Sequence, residues 1–121
     1  MIKDIAFTAY PAKDVRALRE WYESNLGLKF TGPYVEDGVE KYNEATIGGN
    51  TFSLMTSEWV ERDPGTAASV VFEVDDIDAE VARLREKGLT VETHATPVCK
   101  LAGFQDAEGN KVSFHQITVP H

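Results

Sequence analysis

His115, Glu73, Cys99 and His94 are the side chains of this sequence whose types suit acid-base, nucleophilic or metal-ligand chemistry. His115 stands in the run Lys111 to Ile117. If that run is a strand, alternation puts Lys111, Ser113 and His115 on one face, as it puts Ser69, Val71 and Glu73 on one face of the Ser69 to Val74 run. A histidine there suits a general base or a hydrogen-bond donor to a ligand, since imidazole titrates near neutral pH. It suits equally a satisfied histidine at a sheet end, and the residues alone leave both readings open. Glu73 is a carboxylate aimed into a concave face or a strand-end side chain in water. Cys99 has no sequence neighbour that would lower its thiol pKa, so an inert buried cysteine is the commoner case. His94, in THATP, reads as an exposed loop residue, and His121 is terminal. The spacing of Glu73, His94, Cys99 and His115 matches no metal motif, and no phosphate loop, nucleophile elbow or dinucleotide fingerprint occurs.

The elements that would position these residues come twice. Ser69 to Val91, SVVFEVDDIDAEVARLREKGLTV, reads as strand, capped helix, strand. Asp75-Asp76 offers an N-cap, and Ile77, Val81 and Leu84 recur at helical spacing. Acidic residues lead that helix, basic residues close it, and Gly88 suits a left-handed C-cap. The same order runs earlier: Phe7 to Tyr10, then Asp14-Val15 with Leu18, Trp21, Tyr22 and Leu26, then Gly27. Gly49-Asn50-Thr51-Phe52-Ser53-Leu54-Met55 aligns with Gly109-Asn110-Lys111-Val112-Ser113-Phe114-His115. These landmarks recur at nearly one offset, which marks a tandem duplication of a β-α-β-β-β module.

The expected strands are 2–10, 28–30, a hairpin from Tyr34 to Ile47 turning at Glu36-Asp37-Gly38, 51–56, 69–74, 89–94, 98–104 and 111–117. The expected helices follow Asp14 and Asp76. Residues 57–67, with Pro64-Gly65, interrupt the repeat. One domain of modules 1–56 and 68–117 joined by a 57–67 linker follows. The fold class is α+β, an eight-stranded mixed sheet cupped around a cavity with two outer helices. Trp59, the large apolar residue of the linker, caps a ligand cavity or, more commonly, packs on the surface.

Twenty Asp and Glu against twelve Lys and Arg give a net charge of −8, which opposes nucleic acid or anionic membrane as a partner. One cysteine rules out an internal disulfide and any multi-cysteine zinc site, and fits a reducing compartment. The N-terminal MIKDIAFTAY lacks the apolar run of a signal peptide or a membrane span, so the cytoplasm is the expected location.

Asp14-Val15 with Trp21-Tyr22 and Leu26-Gly27-Leu28, then Phe72-Glu73-Val74-Asp75-Asp76 with Lys87-Gly88, then Asp106-Ala107-Glu108-Gly109-Asn110, together resemble the vicinal oxygen chelate superfamily. That superfamily includes glyoxalase I, extradiol dioxygenases, and fosfomycin- and bleomycin-resistance proteins. The resemblance spans nearly the whole chain and implies a homodimer with a small-molecule cavity. Metal enzymes of that superfamily carry His, Glu or Gln ligands on the first and last strands of each module. Those positions fall here on Phe7, Ser53, Ser69 and Ser113. Phenylalanine has no donor atom and a neutral serine hydroxyl is a weak ligand, so no metal and no other cofactor are expected. The implied function is binding of an apolar or aromatic small molecule by Phe7, Ser53, Ser69, Ser113 and His115, with Trp59 or Phe104 stacking on it. The alternative is an enzyme of glyoxalase or dioxygenase type that uses His115 or Glu73 as base.

Overall fold

A computed structural model describes residues 1–60, 63–65 and 69–119. The chain forms two compact units, residues 1–67 and 68–121. The first unit orders its elements as β1 (Thr8–Ala12), α1 (Val15–Leu26), β2 (Thr31–Glu36), β3 (Val39–Ile47), β4 (Asn50–Thr56) and a single helical turn, α2 (Ser57–Val60). The second contains β5 (Val70–Glu73), α3 (Ile77–Glu86), β6 (Glu92–Ala95), β7 (Cys99–Gln105) and β8 (Lys111–Ile117). The eight strands make two four-stranded sheets, ordered β1-β4-β3-β2 and β5-β8-β7-β6. In each sheet the first pair, β1 with β4 or β5 with β8, is parallel and the remaining pairs are antiparallel.

Helix α1 starts where Asp14 accepts the Ala17 N–H at 3.0 Å and stops where Gly27 turns left-handed at φ 68°. Its Val15, Leu18 and Tyr22 are buried against β3 and β4, where Ala45, Phe52 and Leu54 join Tyr10 and Ala12 of β1 in the core. Tyr22 and Tyr10 meet Phe52 edge to face, with centroids at 5.3 and 5.5 Å. The second unit repeats the logic. Asp76 accepts the Ala79 N–H at 3.1 Å, and Ile77, Val81 and Leu84 cover Ala102, Phe104, Val112 and Phe114. The Asp106–Asn110 motif proves to be a closed turn. Asp106 accepts the N–H groups of Glu108 and Asn110 and the Asn110 side-chain amide, each at 2.9 Å, which satisfies a buried carboxylate between β7 and β8.

Several boundaries differ from those read in the sequence, each for a local reason. Residues 1–7 lie outside any strand, because β1 finds its partner only from Thr8 opposite Phe52. Residues 28–30 precede β2, whose ladder begins at Thr31 opposite Glu44. Leu89 to Val91 is not a strand; the Leu89 N–H returns to the Leu84 carbonyl at 3.1 Å and closes the end of α3. His94 is exposed, as expected, and lies in strand β6, within the expected strand 89–94 and not in the loop that THATP suggests. The segment expected to link the modules contains α2, which carries Trp59, while residues 61, 62, 66 and 67 of it, and His121, lie outside the described residues. Among the described residues no helix is long and apolar enough to cross a membrane.

Candidate functional site

The helix-covered face of each sheet is core, so chemistry falls to the opposite face. In the second unit β8 is central. Its Val112 and Phe114 are buried under α3, and alternation turns Lys111, Ser113 and His115 the other way. The parallel register sets Val71 beside Ser113 and Glu73 beside His115. On the other side of β8, Gly103 faces Ser113 and Gln105 faces Lys111. Sequence alternation had grouped these β5 and β8 residues by face; the ladder adds which of them meet.

Glu73 and His115 meet as a pair. Glu73 Oε1 lies 2.5 Å from His115 Nδ1, and its Oε2 accepts the Ile117 N–H at 2.9 Å. The hydrogen bond from His115, followed by that from Ile117, holds the Glu73 carboxyl below its ordinary value of 4.5. A carboxylate only accepts, so Nδ1 carries the proton, and a neutral ring keeps its acceptor lone pair on Nε2. The His115 side chain is 28% exposed. This arrangement can orient an imidazole for proton transfer, and it can equally fasten the end of β5 to β8.

The second unit also holds a cavity of about 660 Å³, whose lining includes Ser69, Glu92, Gly103, Phe104, Lys111 and Ser113 but neither Glu73 nor His115. Its volume falls in the range of ligand pockets, roughly 300 to 1,000 Å³. It therefore gathers three residues singled out in the sequence: Ser69, Phe104 and Ser113. Phe104 is also core, with its ring 5.0 Å from that of Phe114. Cys99, in β7, is buried with Sγ 3.1 Å from Thr96 Oγ1. Gly103 and Glu92 were missed as site residues. An isolated glycine inside the strand pattern CKLAGFQ was the available signal, because glycine there weakens a strand unless space is needed.

The remaining candidates belong to the first unit. Ser53 is fully buried and donates its hydroxyl proton to the Thr8 carbonyl at 3.1 Å. Phe7, 43% exposed, meets Tyr42 edge to face at 5.8 Å. Tyr42 donates to Glu44 at 2.6 Å, and burial, then that bond, raises its phenol pKa. Trp59 is 47% exposed and lies 5.7 Å from Tyr34. The four positions do not fit a transition metal: Phe7 offers a ring, Ser53 is committed to a carbonyl, and Ser69 and Ser113 offer neutral hydroxyls. Among the described residues no three His, Cys, Asp or Glu side chains form a group able to hold a metal ion.

Comparison with known proteins places this geometry. The structure of TnmS3, an antibiotic-binding protein from Streptomyces sp. CB03234, is similar with a TM-score of 0.79 and 24% identity, over 97% of this chain and 98% of that one. A glyoxalase/bleomycin resistance protein from the same organism is similar with a TM-score of 0.74 and 25% identity, over 93% and 100% of the two chains. A lactoylglutathione lyase from Agrobacterium tumefaciens is similar with a TM-score of 0.75 and 20% identity, over 95% and 94%. No curated protein matches the sequence. The family model of the Glyoxalase/Bleomycin resistance protein/Dioxygenase superfamily matches residues 4–114. With nearly the whole sequence matched and the fold shared with these structures, the chain belongs to the Glyoxalase/Bleomycin resistance protein/Dioxygenase superfamily.

Proposed function

We propose that this protein binds an apolar or aromatic small molecule in the cavity of its second unit, without a metal ion at the superfamily's four ligand positions. One observation carries the reading: Ser69 and Ser113 line a cavity of ligand size where metal enzymes of the superfamily would present imidazole or carboxylate. Neutral hydroxyls orient a ligand by hydrogen bonds and leave an apolar body to be held by burial. The similarity to an antibiotic-binding protein supports a binding role. The working form is a cytoplasmic homodimer in which the two units of a chain act as one domain, and light scattering on purified protein should return twice the chain's mass. A thermal-shift screen of several hundred small molecules on metal-free protein tests the function. At a hundredfold excess over Kd a true ligand adds about 2.7 kcal/mol of stability. Finding no ligand in a broad set would count against the proposal.

A second reading is favoured by the Glu73–His115 pair and by the similarity to a lyase. Here His115 Nε2 takes a proton from substrate while Glu73 fixes the tautomer and stabilises the imidazolium that forms. His115→Ala should then lower turnover of a true substrate by about 10²-fold or more with Tm little changed. Equal turnover in that variant removes His115 from any mechanism.

A further inference from the structure

The cavity has a feature that a binding role alone does not require. Gly103 sits inside β7, paired with Glu92 on one side and with Ser113 on the other. It is not among the glycines with positive φ, so its backbone suits any residue. A Cβ built there would meet only the Ser113 hydroxyl, at 3.9 Å, an ordinary contact. Neither backbone geometry nor packing therefore asks for glycine, and glycine inside a strand weakens it.

The first unit supplies an internal control. Its sheet has the same strand order, and the residue opposite Ser53, at the ladder position of Gly103 opposite Ser113, is Glu44. That side chain is accommodated and accepts the Tyr42 hydroxyl. The sheet position tolerates a large residue in one unit and is bare in the other, and the bare one lies on the cavity.

Resting on the binding role proposed above, we propose that Gly103 determines what the cavity accepts: a flat ring lying against the exposed backbone of β7, with a polar edge group at the Ser113 hydroxyl. A Cβ at 103 would stand on the same sheet face as Ser113, 3.9 Å from its hydroxyl, so a side chain at 103 would enter the space the ring fills. Neighbouring strands lie about 4.8 Å apart, so Gly103 and Ser113 together leave a low patch about one ring wide. The next pair on the same face, Gln105 and Lys111, bounds it. A planar aromatic molecule reaches such a patch across its whole face, whereas a globular one touches it at a point and forfeits most of the dispersion contact.

The test uses two acids that differ in shape, 2-naphthoate and adamantane-1-carboxylate, titrated into wild type, Gly103→Ala and Gly103→Leu with calorimetric and NMR readouts. Wild type should bind the flat acid at least about tenfold more tightly than the globular one, with the Gly103 and Ser113 amides shifting. Gly103→Leu should abolish naphthoate binding and Gly103→Ala should weaken it, with Tm unchanged or raised. If Gly103→Leu does not fold, Gly103→Ala and the wild-type NMR shifts carry the test. Naphthoate binding unchanged in the folded variants, equal affinity for the two acids, or no binding of naphthoate overturns the proposal. Ligands from the thermal-shift screen separate it from the binding role. A ligand that binds wild type and Gly103→Leu alike leaves the role standing and removes Gly103 from it, whereas a screen without any ligand removes both.

Discussion

Glu73 is a carboxylate tied by hydrogen bonds to the strand beside it. It is exposed, yet it accepts two hydrogen bonds from β8, and both favour its charged form. A carboxyl with a lowered folded pKa contributes stability that is present above its ordinary 4.5 and is lost as pH falls through the lower folded value. Glu73→Gln should therefore lower Tm above pH 4.5, and the gap to wild type should narrow as pH falls below it. A gap that widens as pH falls below 4.5 would contradict the assignment. The sequence marked both members, Glu73 and His115, because strand alternation placed each on the open face. Their pairing was not legible, since the parallel register of β5 with β8 joins residues 42 apart and no local pattern encodes it. Gly103 was equally visible as a residue and equally silent as a role, because its meaning depends on Ser113 across the ladder.

At the scale of elements, caps and apolar spacing carry the fold. Asp14 and Asp76 each accept an N–H three residues on, satisfying a donor that the first helical turn leaves open. Asp14→Ala and Asp76→Ala should each cost about 1 kcal/mol, read by chemical denaturation at unchanged m-value. Both helices were legible to within a residue or two, because a cap and a 3.6-residue repeat are local signals. Strand starts were less so. Leu28 to Phe30 and Leu89 to Val91 have strand-like composition, but the first has no ladder partner and the second is drawn into the end of α3. Strand pairing is decided by what lies opposite, and composition does not record that.

For the whole molecule, the duplication gives two units of the same topology, each with its own core. Leu18 and Leu84 are fully buried, one in each. If the units act as one domain, Leu18→Ala and Leu84→Ala should each lower a single unfolding transition, by about 2 to 5 kcal/mol. Two transitions, each moved by one variant alone, would show separate domains. The proposed reading is that the cavity of the second unit holds an organic ligand without a metal ion. It is tested most directly by titrating the best ligand of the thermal-shift screen into protein whose metal content is known, before and after exhaustive chelation. The same affinity in both samples, with substoichiometric metal throughout, is the predicted result. Binding that vanishes on chelation and returns with one equivalent of Zn, Ni, Mn or Fe(II) would contradict it.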